Sequence, residues 1–275
     1  MTRETFQVKQ HEDGMPLVDV LSERFRCSKK QARVLLDARQ VFVNGKRIWM
    51  AKHALRVKDV IETVRPESKS KKIQILKKSG GLIIVNKPTG MVTNGNAHSL
   101  EVRLQHELDN PQLCAIHRLD RDTSGCVMFG ADSAAKAEMI PLFKDQRIVK
   151  IYRAIAIGRI SDQVTKITRD IDGESATTLV NVLDRNRDAS YLELRIQTGR
   201  THQIRRHLAS VRHPVLGDKD YAGEQRGNPL FRTVPRQMLH AYRLVLPDPQ
   251  GGASLRVTAP VPDDFQAVLR TLKLK

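Results

Sequence analysis

A basic, polar segment at residues 65–80 divides the chain and limits how it can fold. Its sequence, RPESKSKKIQILKKSG, carries six basic side chains and one acidic side chain. Such a density of proline, serine and lysine is typical of a linker, although a solvated surface run within one domain has a similar composition. A chain of 275 residues has room for two unequal domains. We therefore expect a small domain at 15–64 and a larger one at 81–275.

The charge of the whole chain points to a polyanionic partner. Forty-seven basic against 30 acidic side chains give a formal net charge of +17, which favours binding to nucleic acid or to an anionic membrane surface. Apolar runs such as Leu82–Val85 are far shorter than the roughly 20 residues that span a bilayer. We expect a nucleic acid, and not a membrane, as the partner.

Cysteine usage and the opening residues bear on the cellular compartment. The three cysteines, Cys27, Cys114 and Cys126, form no CxxC pair, which fits a reducing cytosol better than a disulfide framework or a zinc finger. The sequence MTRETFQVKQ lacks the apolar stretch of a signal peptide. A cytoplasmic protein is expected, with a monomer as the default state.

Two short helices are predicted near the start of the chain. Apolar residues at helical spacing predict a helix over 17–26, and a capping box from Ser28 predicts a second helix over 29–40. The first turns of that second helix carry three cations: Lys29, Lys30 and Arg33. The helix macrodipole already presents positive charge there, so an anionic partner such as an RNA phosphate would neutralise them. We predict that these three residues bind RNA.

A hairpin is predicted after the two helices. The VFVNGKRI segment at 41–48 alternates apolar residues around Asn44-Gly45, which is a strong hairpin signal. The two helices, the hairpin and the basic helix start together resemble the small RNA-binding domain named after the fourth protein of the small ribosomal subunit. A generic small α+β module with an exposed basic face is the alternative.

The remainder of the chain alternates β-branched strands with turns and a few helices. GGLIIVNKPTGMV contains a buried strand that ends at Pro88, and IYRAIAIG and YLELRIQTG also have the composition of strands. GRTHQIRRHLASV passes from a turn into a helix. The expected fold class is α+β: a mixed, largely antiparallel sheet with flanking helices, plus the small α+β N-terminal domain.

Common cofactor motifs are missing from the sequence. It contains neither a P-loop nor a G-x-G-x-x-G run after a strand. His202 and His207 lie five residues apart, off the i, i+4 spacing of a zinc-binding helix, and fit packing or RNA contact better. We therefore expect no metal, no nucleotide and no other cofactor.

The densest polar cluster is HRLDRDTSG at 117–125. Asp120 lies among arginines there, so it should stay ionised at neutral pH and suit nucleophilic or basic attack rather than proton donation. An Asp-capped turn with surface ion pairs is the structural alternative. The D-x-D-x-T loop of haloacid-dehalogenase-type phosphatases is a weaker functional alternative, because charge interrupts the AIHRL approach to Asp120.

This cluster also resembles the signature of the RluA-type family of RNA pseudouridine synthases. Four further segments resemble that family in the same order: LIIVNKPTGMV, KIYRA, TGRTHQIRRHLASVRHPVLGDKDYAG and QMLHAYRLVLPDP. From the first to the last they span nearly all of residues 80–250, with Thr93-Asn94 departing from the His-Pro pair of many members. The resemblance implies an enzyme that detaches uracil from ribose in RNA, turns the ring and rejoins it through a carbon–carbon bond without a cofactor.

The resemblance implies roles for individual residues. Asp120 matches the catalytic aspartate, Arg205 the arginine that pairs with it, and Tyr152 the tyrosine that stacks on the flipped base. Ile204 matches the apolar neighbour that packs on the uracil, and Arg118 a residue near the vacated position in the base stack. Ribosomal RNA of the large subunit is the expected substrate, with transfer RNA as the alternative. A non-catalytic RNA-binding protein of the same fold is the rival interpretation, against which the intact catalytic residues argue.

Overall fold

The chain divides into two compact units, with the boundary after residue 71. A computed structural model describes residues 3–25, 27–64, 72–223, 229, 234–247 and 253–275. The first unit is Met1–Lys71 and the second is Lys72–Lys275. Across these described ranges, no helix has both the length and the apolar character needed to cross a bilayer.

The N-terminal unit combines two helices with a four-stranded antiparallel sheet of order β1-β4-β2-β3. Its elements are β1 (Arg3–Gln7), a 3₁₀ turn (Gln10–Glu12), α1 (Leu17–Arg24), α2 (Lys29–Asp37), β2 (Phe42–Val43), β3 (Lys46–Arg47) and β4 (Val60–Val64). Apolar residues of both helices, among them Leu21 and Leu36, pack with Ile61 of β4 in one core. Because this core is closed within the unit, the unit can hold its fold by its own packing.

Local sequence signals in this unit are confirmed. The Ser28 hydroxyl accepts a hydrogen bond from the Gln31 amide at 3.2 Å, and the Gln31 side chain accepts one from the Ser28 amide at 2.8 Å, which is the predicted capping box. Asn44 and Gly45 both have positive φ, 50° and 71°, as a tight hairpin turn requires. The helices end earlier than the predicted residues 26 and 40. Strand β1, which the sequence did not predict, pairs with β4 and extends the unit before residue 15.

The C-terminal unit is built on one ten-stranded sheet with helices. Eight strands follow the order β10-β11-β12-β9-β13-β8-β6-β5, while β14 pairs with β13 and β7 with β8. The elements are β5 (Gln74–Ser79), β6 (Leu82–Lys87), α3 (Leu100–Glu107), β7 (Cys114–Ala115), β8 (Ser124–Gly130), α4 (Ser133–Lys144), β9 (Val149–Ile157), β10 (Lys166–Thr168), β11 (Thr177–Arg185), β12 (Ala189–Ile196), α5 (Gln203–Ser210), β13 (Leu239–Leu246), β14 (Leu255–Thr258) and α6 (Asp263–Thr271).

This sheet confirms the expected fold class. Strands β8 and β13 pair in parallel, whereas the other pairs within the described residues are antiparallel. Every residue of β8 is buried, so the strand that follows the HRLDRDTSG cluster lies in the middle of the core. A loop attached to such a strand has one end fixed by the packing of the whole unit.

Part of the expected linker is a strand. Residues 65–71 lie outside the described residues, but β5 occupies 74–79 and pairs with β6 through the Gly80-Gly81 turn. It is the edge strand of the sheet, and its residues are mostly exposed. Lysines on an edge strand discourage pairing with other chains. The basic, polar composition that predicts a linker here is therefore that of a protected sheet edge.

Candidate active site

Asp120 lies in the loop between β7 and β8, at the rim of a cleft. Its Oδ2 is 3.3 Å from Nη1 of Arg205, which belongs to the first turn of α5. Its Oδ1 is 3.7 Å from Nε2 of His202. The Asp120 side chain is 26% exposed, so the carboxylate remains accessible from solvent.

Two hydrogen bonds join the segment that follows β6 to the loop just before Asp120. The buried Thr93 hydroxyl accepts a hydrogen bond from the Leu119 amide at 3.0 Å and donates one to the Leu119 carbonyl at 3.1 Å. Its two bonds fix the backbone immediately before the carboxylate.

A buried lysine holds the residue that follows Asp120. The ammonium group of Lys87 donates to the carbonyls of Arg121, Pro88 and Met91 at 2.9, 3.0 and 2.6 Å. Burial lowers the pKa of Lys87 to about 7, against the opposing influence of Asp122 and Asp120. Three carbonyls match the three donors of an ammonium group, so this side chain ties the two loops together.

Two side chains from the segment just before β13 hold the end of the Asp120 loop. Arg236 donates to the Asp122 carbonyl at 3.3 Å, and the Gln237 side chain donates to the Thr123 hydroxyl at 2.8 Å. Arg236 itself is fixed by a bidentate pair with Asp264 of α6. With Thr93 and Lys87, these contacts pre-organise the carboxylate from both sides.

A glycine allows the strand after the loop to approach β13. Gly125 has φ of +113°, and a Cβ built there would lie 2.2 Å from the carbonyl oxygen of Ala241, its partner in β13. No other residue type fits this parallel contact without displacing the backbone. The glycine of the TSG run therefore fixes where the Asp120 loop joins the sheet.

Three carboxylates surround the guanidinium of Arg205. Asp218, which is fully buried, binds it in a bidentate manner, with distances of 2.6 Å to Nε and 2.8 Å to Nη2. Asp220 accepts a further bond from Nη2, and Asp120 takes the remaining Nη1. Burial acts to lower the pKa of Arg205, but the bonds to Asp218 and Asp220 outweigh it, and the pKa is raised. Arg205 is thus a fixed cation whose orientation is set mainly by Asp218.

An aromatic and an aliphatic side chain form the apolar part of the cleft. Tyr152 on β9 and Ile204 on α5 are 8% and 4% exposed and line the same cavity as Asp120 and Arg205. Burial raises the pKa of Tyr152 above its usual value, and the Asp120 charge raises it further. The phenol therefore stays protonated at neutral pH.

His202 occupies a strained position beside Asp120. It precedes α5 with φ of 54°, in the left-handed region, which is uncommon for a residue with a Cβ. Its Nδ1 lies 2.9 Å from the Tyr221 hydroxyl, whose ring also faces the Arg205 guanidinium at 5.0 Å. His207, by contrast, is buried against Thr178 and the Arg169 carbonyl, so the two histidines have separate partners.

The structure brings five of the sequence-predicted residues into one cavity. They are Arg118, Asp120, Tyr152, Ile204 and Arg205. Arg118 is exposed and donates to the Thr201 hydroxyl at 3.4 Å. Two adjoining cavities of about 270 and 310 Å³ share Asp120 and His202 with the first. The cleft around the carboxylate can accommodate a ligand considerably larger than a single water.

The other three predicted residues, Lys29, Lys30 and Arg33, belong to α2 of the N-terminal unit. Lys29 forms an ion pair with Asp19 of α1 at 2.8 Å. An acidic residue of the protein therefore neutralises one of the three cations. Lys30 and Arg33 are exposed on the same helix.

Residues that sequence reasoning missed are those that position the predicted ones. Asp218 lies in the VLGDKDYAG run and Lys87 in the LIIVNKPTGMV run, but neither was singled out within its segment. Their signal was weak because a single Asp or Lys in a turn is usually solvated. Only the fold shows that both side chains are fully buried.

Two family models match the chain. A model described as RNA pseudouridylate synthase matches residues 81–210, and an S4 domain model matches residues 15–61. The first covers the Asp120 loop, Tyr152 and Arg205, and the second covers α1, α2 and the hairpin.

Bacterial proteins named as pseudouridine synthases are similar in sequence to this chain. Ribosomal large subunit pseudouridine synthase D of Haemophilus ducreyi is 31% identical over 245 residues, covering 78% of this chain and 75% of that protein. The protein of the same name from Haemophilus influenzae is 28% identical over 304 residues, covering 97% and 94%.

Two human structures share the fold of the C-terminal unit. Human RNA pseudouridylate synthase domain containing 4 superposes with a TM-score of 0.62 at 24% identity, covering 74% of this chain and 94% of that one. Human RNA pseudouridylate synthase domain containing 1 gives 0.59 at 23% identity, covering 76% and 97%.

Proposed function

This chain belongs to the RluA-type family of RNA pseudouridine synthases, and we propose that it converts specific uridines of large-subunit ribosomal RNA into pseudouridine. The similar bacterial proteins carry that RNA in their names. The S4 domain match and the net charge of +17 support an RNA partner. We place the reaction in the cytoplasm and expect a monomer.

Each of the two units has its own role in this function. The N-terminal unit binds RNA through Lys29, Lys30 and Arg33, and the C-terminal unit carries the chemistry. Phosphate contacts of this kind supply affinity without reading sequence. They offset the few kcal/mol needed to extrude a nucleotide from its stack, which is necessary because the reacting atoms of a stacked uracil are inaccessible.

The reaction is an isomerisation whose atoms balance within the nucleotide. The bond from ribose C1′ to N1 of uracil breaks and a bond from C1′ to C5 forms. A proton leaves C5, and N1 carries one in the product. The chain must therefore supply a group that assists cleavage at the sugar, a surface that retains the free ring, and a path for the proton.

The observation that carries the proposal is the position of Asp120. Its carboxylate lies 3.3 Å from the fixed Arg205 cation and opens into a cavity that Tyr152 also lines. Arg205 supplies a fixed counter-charge beside the carboxylate. An ionised carboxylate is required whether Asp120 attacks the anomeric carbon or removes a ribose proton.

Tyr152 and Ile204 are suited to retain the detached ring. A uracil between a phenol ring and an aliphatic side chain gains stacking and apolar contact on its two faces. Because burial and Asp120 both raise the pKa of Tyr152, stacking is its main role here. Arg118, exposed beside the cavity, is placed to contact the RNA around the extruded nucleotide.

Replacement of Asp120 tests the catalytic assignment. Asp120→Ala should abolish pseudouridine formation on ribosomal RNA while leaving RNA affinity within a few fold, because the carboxylate contributes chemistry rather than phosphate binding. Product is measured by a pseudouridine-specific chemical probe, and affinity by anisotropy of labelled RNA.

The matched control is Asp122→Ala, two residues away in the same loop. The Asp122 side chain pairs with the exposed Arg121 at 3.4 Å, and its backbone carbonyl still binds Arg236 after the change. Loss of the Asp122 charge lowers the pKa of Lys87 further, so activity should fall, but far less than in Asp120→Ala. Turnover by Asp120→Ala, or equal loss in both variants, contradicts the assignment.

The substrate is tested separately in cells. Pseudouridines are mapped in all stable RNAs of a strain lacking the gene and in the same strain complemented with it. Sites in large-subunit ribosomal RNA should disappear and return. Loss confined to transfer RNA would reject the ribosomal substrate while leaving the enzyme class intact.

A further inference from the structure

The N-terminal unit exposes a large aromatic side chain on a fixed piece of backbone. Trp49 and Met50 follow β3 and are each 59% exposed. Their neighbours Ile48 and Ala51 pack against the core of the unit. The Ile48 amide donates to the Val41 carbonyl at 2.9 Å, and the Ala51 carbonyl accepts from Val18 at 3.1 Å. The segment is anchored on both sides while two apolar side chains point outward.

One side of the indole ring is covered by a cation. The guanidinium carbon of Arg39 lies over the Trp49 ring, 5.8 Å from its centroid. Arg39 follows α2 with φ of 55°, in the left-handed region, so the helix end directs it there. Such a contact favours one orientation of the ring. More than half of Trp49 is exposed, so part of the ring is accessible to a further contact.

The chain segment that carries this platform, which we define as Arg39, Trp49 and Met50, is basic. From Ala38 to Lys58 the sequence has six basic residues and no acidic residue. A polyanion is therefore attracted to this part of the unit. An exposed indole is also well suited to a nucleobase, because every base has a π-face and stacking does not depend on sequence.

We propose that the Trp49 platform stacks an unpaired nucleobase of the RNA while Arg39 holds the indole in place. The inference rests on the proposed function only in taking RNA as the substrate. It adds an aromatic contact in the N-terminal unit to the Tyr152 contact in the C-terminal unit. This stacking contact differs in kind from the phosphate contacts proposed for α2.

The sole tryptophan of the chain makes the contact directly observable. All measurements use the Asp120→Ala protein, so that the RNA is not altered during titration. Addition of a short, unstructured RNA should quench the fluorescence of Trp49 with the same midpoint as the binding seen by anisotropy. Fluorescence unchanged by saturating RNA would overturn the proposal.

Variants separate stacking from general charge attraction. In the same background, Trp49→Ala should weaken RNA binding by about fivefold or more, the lower end of what one stacked base contributes, and Trp49→Phe should restore most of it. The slope of log affinity against log salt should not change, because no charge is lost. A changed slope in Trp49→Ala, or no recovery in Trp49→Phe, would argue against stacking.

The control for loss of exposed apolar surface is Val34→Ala in the same unit, since Val34 is 61% exposed on α2. It should bind RNA like the parent, and an equal loss would reject a specific role for Trp49. A second copy of the chain could bind this apolar patch instead of RNA, so sedimentation is also measured without RNA. A dimer of the parent protein that is lost in Trp49→Ala would overturn the proposal. Absence of any RNA binding by the parent would instead reject the proposed function.

Discussion

At the scale of single residues, the site depends on how one guanidinium is shared. Arg205 forms a bidentate pair with the buried Asp218 at 2.6 and 2.8 Å, a single bond to the exposed Asp220, and a longer bond of 3.3 Å to Asp120. A bidentate pair restrains a guanidinium more than a single bond does. Asp218 is therefore a positioning residue for Arg205, and through it for Asp120.

We predict that Asp218→Asn lowers both stability and turnover. Removing one partner of a buried ion pair costs about 3 kcal/mol in the free energy of unfolding, because the Arg205 charge keeps its burial and loses its main counter-ion. With Arg205 less constrained, kcat for pseudouridine formation should fall while KM changes little. Denaturant unfolding and steady-state kinetics measure the two effects.

Asp220→Asn is the matched control for this prediction. Asp220 binds the same guanidinium but its side chain is 61% exposed, and exposed ion pairs contribute less than about 1 kcal/mol. This variant should be close to the wild type in stability. Equal losses in the two variants would show that burial of Asp218 is not what matters.

At the scale of elements, α2 carries its cations at the end where the macrodipole disfavours them. Lys30 and Arg33 are exposed in its first turns, and Lys29 is paired with Asp19. Cations at a helix N-terminus cost a few tenths of a kcal/mol each. A feature that lowers helix stability and faces solvent is better explained by a ligand than by the fold.

We predict opposite effects of the double variant Lys30→Ala/Arg33→Ala on binding and on stability. RNA affinity should fall, and the slope of log affinity against log salt should shrink by about one unit per lost cation. The free energy of unfolding should stay the same or rise by a few tenths of a kcal/mol. An unchanged salt slope would remove α2 from the RNA interface.

At the scale of the whole molecule, the half-buried His117 and the buried His240 make stability depend on pH. Burial, with a smaller contribution from the Lys150 charge, lowers the pKa of His117 to about 3, and its Nε2 accepts a hydrogen bond from the Met128 amide. Burial likewise lowers the pKa of His240 to about 4. Both are neutral in the folded protein, whereas in the unfolded chain they bind protons below about pH 6.5.

We predict that the C-terminal unit loses stability as the pH falls below 6.5. The unfolded state then binds more protons than the folded state, so the free energy of unfolding decreases by up to about 1.4 kcal/mol per pH unit for each such histidine. All four tyrosines lie in this unit and the single tryptophan in the other, so tyrosine absorbance follows its unfolding. His117→Gln, which keeps an acceptor for Met128, should flatten the slope between pH 6.5 and 5. A slope that is identical in this variant would contradict the account.

The sequence predicts local structure where the interacting groups are close to one another in the chain. Ser28 and Gln31 form their capping box within four residues, and Asn44-Gly45 turns the chain by its own backbone preference. Strand β5 was mistaken for a linker because an edge strand rich in lysine has the composition of a solvated segment. Edge and interior are properties of the sheet, which short-range patterns do not encode.

The sequence by itself determined the family and the two-unit organisation in outline, and it predicts Asp120 as the catalytic candidate, because HRLDRDTSG and the other family-like segments are contiguous runs. The tertiary structure alone decided how that carboxylate is held. Thr93, Lys87 and Arg236 bind the Asp120 loop from positions 26, 34 and 114 residues away. Asp218 acts through Arg205, which lies 13 residues before it. Their roles come from burial and hydrogen-bond geometry, which exist only once the sheet has brought distant segments together.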